Sequence, residues 1–163
     1  MAGARTLNGA LVPLKGTNPT SSLTGNYNRK TGILKSTGAI NTNYPANRNP
    51  QNNEHAAGYI TTNPTGNGRW ITQNSNVRTD IEYYNGNAIF RCQTLSGQDF
   101  TSSSTGFLGV SRSLSSGFNY RIANSSTFYT NSSAPPQSNT FIILSPGGSP
   151  RLSFYSIGES LDL

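Results

Sequence analysis

The sequence predicts an all-β domain in which two antiparallel sheets pack as a jelly-roll sandwich behind a short N-terminal arm. Three observations predict it. Ser, Thr and Asn make up 60 of the 163 residues, with 17 Gly and 9 Pro besides, while 11% are charged. A chain so rich in turn formers and hydroxyls is not mostly helical. One Trp, eight Tyr and seven Phe are spread along it, and aromatic content at low charge density argues against disorder. Short period-two runs separated by turn residues recur about ten times or more, the pattern of a sandwich rather than of alternating strands and helices.

Residues 1–9 read as a flexible arm and 10–163 as one sandwich domain, long enough to bury a core. Ala10 to Leu14 reads as a first strand, and Pro13 would confine it to a sheet edge. Gly16 to Asn28 carries turn chemistry, and strands resume at Thr31 to Lys35 and Ala39 to Tyr44. Pro45 to Asn53 is expected to be a polar surface loop. Ala56 to Thr62, Arg69 to Gln73 and Val77 to Tyr84 follow, the last meeting Asn87 to Thr94 across Asn85-Gly86, a strong hairpin signal. Thr105 to Arg112 comes next, then Phe118 to Ala123, which turns at Asn124-Ser125 into Thr127 to Thr130. Thr140 to Leu144 holds the unbroken apolar run Phe141-Ile-Ile-Leu144, expected to be a central strand buried on both faces. Arg151 to Ile157 alternates with period two up to Gly158. Phe154 is expected between the sheets and Tyr155 on the opposite face. Ser156 and Glu159 have capping-box spacing, the start of a helix for which only Ser160 to Leu163 remain.

The net charge of +6 arises from twelve Lys and Arg against six acids, none before Glu54. Arg5, Lys15, Arg29, Lys30, Lys35 and Arg48 are scattered, which favours docking on an acidic protein surface over nucleic-acid binding. Arg5, Lys15, Arg29 and Lys30 are the docking candidates. No apolar run approaches the roughly 18 residues a membrane helix needs, and the first residues lack a secretory signal's apolar stretch. A soluble protein made in the cytoplasm is expected.

Chemistry-bearing residues are sparse. Asp80 and Glu82 share a strand face, roughly 7 Å apart, a spacing glycosidases use for an acid and a base or nucleophile. Sandwich-fold glucanases carry a similar strand motif with a further Glu, but Arg78 stands at that position here. Arg78 and Arg91 on the partner strand would offset the acids. His55 has no second His for zinc, and no Gly-x-Ser-x-Gly accompanies it. The six acids are too dispersed for a calcium site. Cys92, the single cysteine, reads as a buried inert thiol. No enzyme activity, metal or cofactor is expected. Trp70, Tyr83 and Tyr84 are candidates for stacking on sugar rings, with Tyr44, Tyr120 and Tyr129 further choices, against the alternative that they fill the core. Adjacent Tyr83 and Tyr84 must face opposite ways. Asn124-Ser-Ser and Asn131-Ser-Ser match glycosylation acceptors at a frequency expected by chance in this composition.

Four blocks, Gly25-Asn-Tyr-Asn-Arg-Lys-Thr-Gly32, Asn47-Arg-Asn-Pro-Gln-Asn-Asn-Glu-His55, Thr105-Gly-Phe-Leu-Gly-Val-Ser-Arg112 and Arg151-Leu-Ser-Phe-Tyr-Ser-Ile-Gly-Glu-Ser-Leu-Asp-Leu163, resemble a family of bacteriophage virion proteins with a concanavalin A-like lectin/glucanase domain. The resemblance spans about residue 10 to the end. It implies a jelly-roll sandwich on the exterior of the phage particle, and often a role in fibres. In relatives the last block continues into a helix and a longer polypeptide precedes the domain, so this chain is expected to be a pared-down subunit. A capsid decoration or cement protein, or a short fibre head, fits that expectation. The partners implied are the major capsid protein or a tail or fibre subunit, with trimers expected. The alternative is a receptor-binding module for host surface glycan. The lectin name alone does not carry sugar binding with it.

Overall fold

The computed structural model describes residues 18–28, 30–95, 98–105 in part (98–100 and 105), 106–145 and 147–161. In chain order the strands are β1 (Thr20–Ser21), β2 (Thr24–Asn28), β3 (Gly32–Thr37), β4 (Ile40–Pro45), β5 (Glu54–Thr62), β6 (Gly68–Gln73), β7 (Arg78–Tyr84), β8 (Asn87–Thr94), β9 (Gln98–Phe100), β10 (Gly106–Leu114), β11 (Gly117–Ile122), β12 (Ser125–Thr130), β13 (Thr140–Ser145) and β14 (Arg151–Gly158). A 3-10 turn, Ala46–Arg48, follows β4. They form two antiparallel sheets of seven strands. Sheet A runs β1-β4-β13-β6-β7-β8-β9 and sheet B runs β12-β11-β10-β5-β14-β3-β2. The arm at 1–9, the strand expected at Ala10 to Leu14 and the docking candidates Arg5, Lys15 and Arg29 lie outside the described residues.

One core fills the space between the sheets. Sheet B contributes Ile33, Ala56, Ile60, Leu108, Val110, Phe118 and Leu152; sheet A contributes Ile40, Trp70, Ile71, Ile81, Phe90, Phe141 and Ile143. Each fully buried side chain of this size stabilises the fold by about 1.5–3 kcal/mol relative to exposure, before the entropy of ordering it is subtracted. A bulge between Arg69 and Ile71 turns the consecutive Trp70 and Ile71 both inward.

The β7–β8 hairpin closes as its sequence predicts. Asn85 (φ 50°) and Gly86 (φ 85°) both occupy the left-handed region, the requirement of a two-residue type I′ turn. Gly32 (φ 84°) permits the close approach of β3 to β14, since a Cβ there would lie 2.2 Å from the Leu152 carbonyl oxygen.

Five expectations need correction. Thr24–Asn28, part of a stretch that reads as turns, is a strand paired to β3; its Thr, Gly and Asn residues face solvent at an edge, and only Tyr27 packs against the core. Phe154 is not between the sheets but 43% exposed, while Tyr155 packs against the core. A register shift between Leu152 and Phe154 inserts Ser153 as an extra residue and reverses the alternation after it. In β13, Phe141, Ile143 and Leu144 are fully buried but Ile142 is half-exposed on the open outer face of sheet A, so this central strand is not covered on both sides. The Pro45 to Asn53 loop sends buried Ala46 and Asn49 inward; Tyr44 donates to Asn49 Oδ1 (2.6 Å), and Asn49 donates through Nδ2 to the Gly158 carbonyl (2.8 Å). Residues 159–161 form no helix. Instead Ser160 N and Oγ donate to Asn53 Oδ1, and Leu161 N donates to Ser111 Oγ.

Candidate functional site

The outer face of sheet A carries the sequence's one carboxylate pair. Asp80 and Glu82 point outward from β7, because Thr79, Ile81 and Tyr83 take the inward phase. Three arginines converge on them. Arg78 Nε pairs with Asp80 Oδ2 at 2.8 Å, and Arg69 Nε with Glu82 Oε1 at 2.5 Å. Arg91 Nη1, delivered opposite Asp80 by β8, donates to both Asp80 oxygens at 3.2 Å and to Glu82 Oε2 at 2.6 Å. The arginines hold the Glu82 carboxyl below the ordinary range against its desolvation. Burial, then the charge of Glu82, pushes Asp80 up.

Chemically this is a closed ion cluster. The Asp80 side chain has no exposed surface, and that of Glu82 is 9% exposed with its two oxygens paired to Arg69 and Arg91. A carboxylate that serves as acid or base needs contact with the substrate.

Beside the cluster lies a cavity of about 570 Å³ lined by Asn67, Arg69, Asn74, Glu82, Tyr84 and Ile142. Tyr84 is 51% exposed on its wall. The structure separates the three glycan candidates. Trp70 is 1% exposed, its ring 5.7 Å from that of Tyr83 in the core, which corrects the assignment of Trp70 to sugar contact. Tyr83 is half-buried against the core and still reaches the cavity lining, and Tyr84 alone presents a largely free ring. Tyr44, Tyr120 and Tyr129 pack against the core as well.

The outer face of sheet B differs in kind. Register places Phe154 of β14, Tyr59 of β5 and Phe107 of β10 side by side in one row across three central strands, spanning roughly 10 Å at ordinary strand spacing. Tyr59 is 47% exposed and Phe154 43%, with Phe107 half-buried. The Arg121 guanidinium lies 5.8 Å from the Phe107 ring centre, a cation–π arrangement. Arg151 flanks the row, donating to Thr31 Oγ1 (2.8 Å) and the Gly32 carbonyl (3.2 Å). Among the residues of these seven strands the one carboxylate, Glu54, points into the sandwich. Lys30, the one docking candidate among the described residues, is exposed in the β2–β3 turn, where its backbone N donates to Asn28 Oδ1.

Several buried polar groups, Glu54, Arg112 and His55, escape a reading of the sequence alone, whereas Cys92 is buried as that reading expects. Glu54 is fully buried at the start of β5, accepting from Thr79 Oγ1 and, at 3.4 Å, from Gln73 Nε2. Desolvation pushes its pKa up to about 7. Arg112, also fully buried, donates through Nε to the Cys92 carbonyl (2.6 Å) and through Nη1 to the Leu114 and Asn131 carbonyls (3.0 Å each). Cys92 is buried and its thiol pushed well up by desolvation. His55 Nδ1 lies 2.5 Å from the Glu159 carbonyl and Nε2 2.8 Å from Ser156 Oγ. A neutral imidazole fits both, donating to the carbonyl and accepting from the hydroxyl, and burial lowers its pKa accordingly. Among the described residues no group of three or more His, Cys, Asp or Glu side chains could hold a metal ion. No helix among them is long and apolar enough to cross a membrane. A scan against protein-family models finds no match to this chain, and a comparison with curated proteins finds none either.

Proposed function

We propose that the chain is a non-enzymatic structural protein on the exterior of a bacteriophage particle, a capsid decoration or cement protein or the head of a short fibre. The observation that carries the docking half of this proposal is the outer face of sheet B, where three aromatic rings stand in register between Arg121 and Arg151, and where the described residues of the seven strands place no carboxylate outward. Tyr and Arg are the side chains most enriched at the energetic centres of protein interfaces. The two arginines that flank the row favour an acidic surface over a second copy of the same face, since like charges would meet. The occupant is therefore an acidic surface of a neighbouring virion subunit, with Lys30 and the expected cations Arg5, Lys15 and Arg29 adding to the field. The virion setting itself rests on the four sequence blocks. The non-enzymatic half is supported by the arginine-locked state of Asp80 and Glu82.

Particles stripped of the protein and mixed with purified wild type or Tyr59→Ser/Phe154→Ser double variant test the proposal. Wild type should restore occupancy and the double variant should not, while Asp80→Asn should still bind. Equal occupancy by wild type and double variant would remove the aromatic face from the function.

A second reading has its own observation. Tyr84 beside the sheet A cavity offers a free ring and nearby amides from Asn67 and Asn74 to a sugar, which suits a glycan-recognition module. A multivalent display of the protein on host polysaccharide, compared with its Tyr84→Ala variant, tests that reading. Binding that the variant loses would favour it over the structural one.

A further inference from the structure

Lys35 is a buried cation with no carboxylate partner among the described residues. It follows Ile33 by two residues in β3 and so shares its inward phase. Only 3% of the residue is exposed. Its Nζ crosses from sheet B to donate to the Ser145 carbonyl at the end of β13 in sheet A, 2.9 Å away. That contact uses one of three ammonium hydrogens. The ion pairs among the described residues all involve Arg69, Arg78 or Arg91, so no carboxylate there neutralises Lys35. Burying an ammonium that keeps a single hydrogen bond is costly unless other groups or an anion compensate.

The space next to it supplies the rest of a site. A cleft of about 480 Å³ opens beside Lys35, lined also by Ser22, Ser36, Thr37, Gly147 and Gly148. The lining offers three hydroxyls, one cation and no acid, and no other titratable side chain among the described residues. Gly147 (φ 118°) and Gly148 (φ 55°) are positions where a side chain would collide with the 64–68 turn, so that wall is bare backbone.

We propose that this cleft binds an oxyanion carried on a small polyhydroxylated ligand, a hexuronate or a sugar phosphate, with the anion on Lys35 and ligand hydroxyls on Ser22, Ser36 and Thr37. The site lies apart from the aromatic row of sheet B and from the Tyr84 cavity, and it does not depend on the virion proposal. Desolvation lowers the Lys35 pKa, so a bound anion should restore protonation and binding should weaken as the pH rises.

Titration of isotope-labelled protein with glucuronate, glucose 6-phosphate, inorganic phosphate and glucose, followed by amide NMR, tests this. Glucuronate or glucose 6-phosphate should shift the amides of Ser36, Thr37, Gly147 and Gly148 saturably, and the stronger of the two identifies the carboxylate or the phosphate as the natural group. Glucose should leave them in place. Lys35→Met should weaken binding at least about tenfold, the scale of one charge-assisted hydrogen bond, and Lys30→Gln should not. Should Lys35→Met fail to fold, Thr37→Val, at an exposed hydroxyl pair with Thr24, should still weaken binding several-fold, and glucuronate affinity should fall with rising pH before the ordinary lysine range is reached. Saturation by neither sugar acid, shifts confined to other amides, or inorganic phosphate binding as tightly as both would overturn the proposal.

Discussion

Phe154 lies directly opposite Tyr59 across the β14–β5 ladder, and both rings face outward, although Ile60, next to Tyr59, enters the core and Tyr155, next to Phe154, packs against it. The relationship exists because the bulge at Ser153 changes the phase of β14 after Leu152. The energetic roles of Leu152 and Phe154 should therefore be opposite to those a continuous alternation assigns. Leu152→Ala should cost about 3 kcal/mol through loss of burial and a residual cavity. Phe154→Ser should change stability by less than about 1 kcal/mol. Chemical denaturation midpoints of the two variants check the contrast; a larger loss for Phe154→Ser would mean that Phe154 packs inside.

Glu54 should make stability fall as the pH rises. Its carboxyl has a pKa of about 7 in the fold against 4.5 when solvated, so the folded chain binds more protons between those values. Stability from this group is thus full below about pH 4.5 and declines up to about pH 7, by roughly 3–4 kcal/mol at most. His55 acts oppositely. Its lowered pKa favours the neutral ring, so its contribution is present above pH 6.5 and is lost as the pH falls below it. Comparing wild type with Glu54→Gln across pH 4.5 to 7 isolates the first effect. The wild-type advantage should shrink with rising pH, and a constant difference would contradict it.

The arginine cluster should behave as structure. Arg91 holds both Asp80 and Glu82, so Arg91→Gln leaves two carboxylates with reduced compensation and should cost about 3 kcal/mol. Thermal unfolding checks this. Asp80→Asn should leave unchanged any glycan hydrolysis the protein shows, and a specific loss would restore the pair as a catalytic acid and base.

Gly86→Ala should cost about 1 kcal/mol, because φ of 85° in the β7–β8 turn is strained for any residue with a Cβ. Gly66→Ala, with nothing within 4 Å of the added atom and no positive φ, provides the control. Equal midpoints for both variants would count against the turn geometry.

How much was legible in the sequence follows from where side chains announce their face. Strands β5 to β8 carry apolar residues in the inward phase and an Asn-Gly turn between β7 and β8, so their hairpin and their place in a sandwich could be read directly. The edge strand β2 could not, because its Thr, Gly and Asn residues match a loop composition and only pairing to β3 makes them a strand. Bulges defeated the phase of single residues: Trp70 joins Ile71 in the core, and Phe154 leaves it. The carboxylate pair with its offsetting Arg78 and Arg91 was visible as alternation on facing strands. Glu54 and Arg112 were not, since nothing local marks a charged side chain at a strand end as buried. Lys35 did leave a signal, its two-residue spacing from Ile33, which places an ammonium on the core face.

On the function proposed above, this protein holds to an acidic neighbour through the outer face of sheet B. Occupancy of stripped particles by wild type and by the Tyr59→Ser/Phe154→Ser double variant, read from averaged images at matched protein concentration, measures it most directly. The expected result is full occupancy by wild type, salt-sensitive through Arg121 and Arg151, and near-empty sites with the double variant, whose fold and denaturation midpoint stay close to wild type. Full occupancy by the double variant, or density placing that face toward solvent, would contradict the claim.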